Sequence, residues 1–254
     1  MKPIWKFTLI ASLGGFLFGF ETAVISGAEQ IIQKLWDLDA VRHGLTVSIS
    51  LIGTIIGAVI AGRMADRYGR KPVLYFVAAL YLLSALGCAV ASIWELFLLF
   101  RLLGGLAVGI SSVVGPVYTS EIAPAKDRGK LTGTFQIMIV LGIFTAYLTN
   151  FLFMSVNSGG WRYMLGIMAV PALLFVLLLN LIPESPRYLR LATPFEVQVN
   201  QPQTSGKHVS LFQKRYAKPI LFAVLLAFFN QMTGINAILY YAPRIFEMAG
   251  FSAA

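Results

Sequence analysis

The chain has 254 residues, of which 57% are hydrophobic and only 12% charged, and its mean hydropathy is +0.76. So few charges cannot clothe a soluble domain of this size, which excludes that class and points to an integral membrane protein. The formal net charge of +9 needs no nucleic-acid partner if the excess lies on one side of a bilayer.

Seven apolar runs read as spans: 7–28, 45–61, 73–93, 96–117, 131–154, 163–182 and 220–240. Each comes near the about 20 residues a helix needs to cross hydrocarbon. The first follows Lys2 and Lys6 but is too long for a signal peptide and has six successors, so it is kept as a helix. Within it lies Glu21, and within the fourth lies Arg101. An ionised side chain at the bilayer centre costs roughly 3 kcal/mol on insertion scales, so each is a functional-site hypothesis by default. With the first span entered from the cytoplasm and the fourth from outside, the two charges lie at a similar depth and can neutralise each other. An acid beside a cation is held ionised, and when movement or substrate separates them it takes a proton. Proton coupling is therefore assigned to Glu21 with Arg101.

Between the second and third spans runs Gly62-Arg63-Met64-Ala65-Asp66-Arg67-Tyr68-Gly69-Arg70-Lys71, a short loop dense in charge. Basic residues gather here, around Lys126 to Lys130, and from Arg187 to Lys218, whereas the opposite segments hold only Lys34, Arg42, Arg162 and Arg244. The positive-inside rule then places the N-terminus in the cytoplasm. The single cysteine, Cys88, falls in the third span and reads as packing. Gly14, Gly15 and Gly19 recur as Gly104, Gly105 and Gly109, the same GGxxxG spacing in spans one and four. Three spans intervene, so the copies run in opposite directions, the mark of a 3+3 inverted repeat. Small residues four apart let helix backbones approach closely in lipid, and Gly53 and Gly57 in span two do the same.

The longest polar stretch, 183–218, separates six spans from the seventh, and residues 199–206 read as a flexible connection. The domains are thus a six-helix bundle over 1–182, a shortened linker over 183–218 and a seventh span within 219–254. Glu121 with Arg128, and Glu184 with Arg187, put opposite charges within helical or turn reach just inside the membrane.

The charged loop resembles the GxxxDRxGRK signature of the major facilitator superfamily. Four further stretches resemble its sugar porter branch: Gly19 to Thr22 with Ser26-Gly27, Pro116 to Pro124 with Arg128-Gly129, Pro183 to Arg187, and Gln231 to Asn236 followed by Tyr240-Tyr241. The resemblance implies an all-α membrane fold and alternating access of two bundles latched at the cytoplasmic face. Its gate positions here are Gly62, Asp66, Arg67, Gly69, Arg70, Glu121, Arg128, Glu184 and Arg187. Sugar hydroxyls need uncharged donors and acceptors. Gln136 resembles the family's sugar-contacting glutamine, Phe18 an aromatic lining position, and Asn230, Gln231 and Asn236 supply further amides. For Asn150 and Asn180 the plainer role is an interhelical hydrogen bond.

The resemblance implies transport of a hexose or pentose by proton symport across the bacterial inner membrane, with a monosaccharide, a proton and the lipid bilayer as partners. Three departures stand beside it. Glu21 replaces the usual Asp, Met168 stands where some symporters carry an acid three residues before the proline of span six, and Asn230 stands for a second glutamine. Twelve spans are usual where seven are found here, so the expectation is a truncated form whose missing C-terminal half is a further partner. The alternatives are a non-transporting sugar-binding or regulatory remnant, and another metabolite or drug transporter of the superfamily. No phosphate loop, metal cluster or nucleophile triad is present, and His43 and His208 read as isolated and peripheral, so no cofactor and no enzyme activity are expected.

Overall fold

The computed structural model describes residues 2–154, 156, 159–192, 213 and 216–250. The expected connection at 199–206, together with Lys207, His208, Lys214 and Arg215, lies outside the described residues. Two compact units are distinguished, Met1–Arg190 and Leu191–Ala254.

In the first unit, α1 (Lys2–Leu35), α2 (Ala40–Tyr68), α3 (Arg70–Val90), α4 (Trp94–Ile122) and α5 (Arg128–Met154) correspond to the first five runs. Most overrun the apolar stretch because a helix keeps its backbone bonds beyond the hydrocarbon, where hydropathy no longer marks it. The sixth run is divided into α6 (Gly160–Gly166), α7 (Ala169–Leu178) and a 3₁₀ turn over Leu179–Leu181. The break falls at Ile167–Met168. Pro171 has no N–H for the Ile167 carbonyl and its ring crowds that oxygen, so the ladder loosens there. Pro116, by contrast, is contained within α4. The short α8 (Pro186–Ala192) follows.

The repeat is visible in the packing. The most extensive helix contacts are α1 with α5 and α4 with α2, so the first helix of each repeat lies against the second helix of the other. Glycine makes both seams possible. A Cβ on Gly19 would collide with the Ile139 carbonyl, and one on Gly142 with that of Phe16. On the other seam, Gly105 abuts the Ser50 carbonyl, Gly109 that of Thr54, and Gly53 that of Leu102. Thr54 Oγ1 also donates to the Gly105 carbonyl at 3.2 Å. Outward from the seams, Ile55 and Val59 of α2 and Phe144 and Phe151 of α5 are exposed, an apolar surface suited to acyl chains.

In the second unit, α9 (Ala217–Met232) and α10 (Ile235–Met248) divide the seventh run. Gly234, at φ 70°, turns the chain between them in the left-handed region that glycine enters freely. Among the described residues seven segments are long and apolar enough to cross a membrane, and the chain is a multi-pass all-α membrane protein.

Candidate functional site

Glu21 and Arg101 meet inside the bundle. Both are buried, at 2% and 0% exposure, and Arg101 Nη1 donates to Glu21 Oε1 and to the Glu21 carbonyl at 3.4 Å. Arg101 Nη2 reaches Ser50 Oγ on α2 at 3.3 Å. The carboxylate fits because position 104 is glycine, where a Cβ would stand 2.6 Å from Glu21 Oε1. One glycine of the repeated motif therefore serves the charge pair and its neighbour serves the α2 seam. Close by, the Tyr81 hydroxyl and Ser111 Oγ lie 3.0 Å apart, both buried.

A second buried pair corrects one expectation. His43 is not isolated: its Nε2 lies 2.7 Å from Glu29 Oε2, with side-chain exposures of 7% and 1%. The sequence reading missed this because Glu29 falls at the very edge of its apolar run and the pair joins different helices. The aromatic cluster of Trp36, Phe97 and Trp161, with ring centroids 5.5 to 6.1 Å apart, marks the same end of the bundle.

At the opposite end the expected charged loop is mostly helix, with Gly62 to Tyr68 completing α2 and Arg70 and Lys71 opening α3, and its charges enter a compact network. Gly69 is the single residue between α2 and α3, at φ 94° and ψ 164°, a region open essentially to glycine alone. The freed amides at the start of α3 are capped from across the bundle. Glu184 accepts from Arg70 N at 3.0 Å and from Lys71 N at 3.2 Å, which suits an anion at a helix N-terminus. The Arg70 side chain then grips Glu121 through Nε and Nη2, both at 3.0 Å, reaches the Ala65 carbonyl at 2.9 Å and pairs with Asp66 at 3.1 Å.

These partners differ from the sequence expectation. Glu121 pairs with Arg70 rather than Arg128, and Glu184 with backbone amides rather than Arg187. Arg128 and Arg187 are exposed, and neither forms an ion pair within 4.0 Å among the described residues. Gly62 and Arg67 are exposed too, and Arg67 stacks over Tyr68 at 5.3 Å. The network also recruits residues outside the expected set. Ser185 Oγ donates to Glu121 at 2.5 Å, Tyr118 OH to the Pro183 carbonyl at 2.9 Å and Tyr188 OH to the Arg67 carbonyl at 3.3 Å.

Of the amides, Gln136 is exposed on α5, and Phe18 is half-buried on α1. In the second unit, Asn236 Nδ2 donates to Gln231 Oε1 at 2.9 Å across the Gly234 turn, while the Asn230 carbonyl accepts from Thr233 Oγ1 at 2.6 Å. Asn150 ties α5 to α1 through the Val24 carbonyl at 3.1 Å, and Asn180 accepts from Tyr75 OH at 2.8 Å, so both hold helices together. Among the described residues no group of three or more His, Cys, Asp or Glu side chains could hold a metal.

Residues 7–254 match the family described as "Sugar (and other) transporter". The chain is 38% identical over 266 residues to the D-xylose transporter of Levilactobacillus brevis, covering 96% of this chain and 58% of that protein. It is 34% identical to the galactose-proton symporter of Escherichia coli K12, covering 96% and 57%. Among solved structures, the partially occluded inward-open xylose transporter XylE from E. coli matches with TM-score 0.81 at 32% identity, over 96% of this chain and 65% of that one. The chain therefore spans little more than half the length of the curated relatives it matches. With its inverted repeat, its charged segment at the junction of α2 and α3 and these similarities, the chain belongs to the sugar transporter family of the major facilitator superfamily, a family of transporters and not of enzymes.

Proposed function

We propose that the protein takes part in monosaccharide uptake coupled to protons by alternating access, in a bacterial inner membrane with its N-terminus cytoplasmic. The observation that carries this is the buried Glu21–Arg101 pair. Arg101 keeps its charge throughout, so the pair exchanges protons only at Glu21, and it does so when the two separate. The sugar-reading candidates are the Gln136 amide and the aromatic Phe18 in the first unit, and the amides of Asn230, Gln231 and Asn236 in the second. The latch is the network around Arg70, with Asp66, Glu121 and Glu184 as its acids, Gly69 making the turn between α2 and α3, Gly62 on the exposed face of α2, and Arg67, Arg128 and Arg187 as its exposed cations. The relatives named as D-xylose, galactose-proton and arabinose-proton transporters support a pentose or hexose as cargo. Residues 1–182 supply the bundle, 183–218 the cytoplasmic linker and 219–254 the seventh span.

The test is radiolabelled sugar uptake into proteoliposomes with and without an imposed pH gradient. It is run for this chain alone and for the chain supplied with the remaining portion of a relative such as the D-xylose transporter. Accumulation is expected only when that portion is supplied, and Glu21→Gln is expected to abolish accumulation while leaving exchange. Accumulation unchanged in Glu21→Gln removes Glu21 from coupling, and sugar binding without any uptake favours a non-transporting protein.

A further inference from the structure

The Glu29–His43 pair has no part in the coupling reading above, yet it is a buried acid and base held 2.7 Å apart on two helices. Glu29 lies eight residues beyond Glu21 on α1, which is about 12 Å further toward the end of the bundle opposite Gly69. On α2, His43 continues a buried polar stripe. His43, Thr46 and Ser50 are all buried at spacings of three and four, the i, i+3, i+7 positions of one helix face. The inner end of that stripe, Ser50, accepts from Arg101. A line of polar groups thus runs from the outer pair to the inner one through a face that lipid-facing chemistry would have kept apolar.

The two pairs differ in what they can hold. Arg101 never releases its proton, whereas His43 is the side-chain type whose charge changes between pH 5 and 8. Glu29 with neutral His43 carries one negative charge, and a proton taken from solvent onto the imidazole brings the pair to zero. The acids and cations around this end are placed differently. Lys34, Asp37, Asp39, Arg42 and Glu95 are exposed, and Arg162 donates to the Ala89 carbonyl at 2.6 Å. Among the described residues, the other titratable groups here are Tyr147 on α5, Tyr163 on α6 and the buried Cys88 on α3.

We propose that Glu29 and His43 form a second proton-binding site, placed between solvent and Glu21 and coupled to it through their charges. Its purpose rests on the proton-coupling reading, but its existence does not require transport. A unit charge about 12 Å away in an effective dielectric of about 20 changes a proton affinity about tenfold.

The chain has only two histidines, so ¹⁵N-histidine NMR of the full chain in lipid nanodiscs can follow each, with His208→Asn assigning the signals. His43 is expected to titrate between about pH 5 and 8. In Glu29→Gln the counterion beside it is gone, and the midpoint should fall by more than one pH unit. In Glu21→Gln, Arg101 is left uncompensated and the midpoint should fall by up to about one unit. A His43 signal that stays constant from pH 5 to 9 in the unsubstituted chain overturns the proposal, whichever variants fold. Equal midpoints in all three proteins overturn it as well. A titrating His43 in a chain that shows no uptake even when the remaining portion of a relative is supplied leaves this site standing and removes the transport reading, whereas working uptake with a silent His43 does the reverse.

Discussion

Arg70 and Glu121 form a two-pronged contact, with Nε and Nη2 of the guanidinium each 3.0 Å from a carboxylate oxygen and side-chain exposures of only 6% and 4%. The fork matches the carboxylate in plane, which an ammonium cannot do. Removing Arg70 leaves the buried Glu121 without its cation, and removing Glu121 leaves the buried Arg70 only the exposed Asp66. Arg70→Met and Glu121→Leu are each expected to lower stability by about 3–5 kcal/mol, and the double substitution by clearly less than their sum. Arg70→Lys should fall between. Thermal unfolding in detergent, read through a double-mutant cycle, checks this, and strict additivity would count against the pairing.

The same logic holds at Glu21 and Arg101, which are buried more deeply. Arg101→Gln alone, or Glu21→Gln alone, should cost about 3–5 kcal/mol. With both replaced, neither charge of the pair is left buried without its partner, so the double variant should melt closer to the parent than either single one. A double variant that melts below both singles would show that the pair is not each other's main counterion.

Gly69 should resist substitution for two independent reasons. Its φ of 94° lies where a side chain costs about 1–3 kcal/mol, and a Cβ there would stand 2.5 Å from Glu184 Oε2. Gly69→Ala is therefore expected to loosen the cap on α3, with faster amide exchange at Arg70 and Lys71. Gly62→Ala, a few residues away with open space around it, serves as the control. Equal exchange in the two variants would be the failing result.

The seams make a packing prediction. Gly142→Leu must push α5 off α1, because even a Cβ there strikes the Phe16 carbonyl, whereas Gly133→Ala on the same helix meets nothing within 4 Å. The first should lose most of its folded yield in size-exclusion chromatography after extraction, and the second should be indistinguishable from the parent or slightly more stable. A normal elution profile for Gly142→Leu would contradict the close approach of α1 and α5.

Much of the molecule was legible without coordinates. Hydropathy is a local property, so the apolar runs mark the spans, and a lone carboxylate and a lone guanidinium within such runs had few other partners to find. The glycine spacing marked α1, α2 and α4 as helices with a close neighbour, since a backbone contact in lipid needs a missing side chain at fixed spacing, but it did not name α5 as the partner of α1. Charge bias and the Gly62 to Lys71 segment marked one end of the bundle as the charged one.

What tertiary structure alone decided was which partner each charged group takes. Sequence proximity favoured Glu121 with Arg128 and Glu184 with Arg187, but an exposed pair on one turn contributes less than about 1 kcal/mol. A buried fork and a helix N-terminus offer more, and folding brought Arg70 and its amides to those acids across 51 and 114 positions of chain. Likewise, His43 looked peripheral until α1 and α2 met at Glu29. Apolar length and glycine spacing repeat along one helix and can be read there, whereas an ion pair between helices depends on crossing geometry that no single segment encodes.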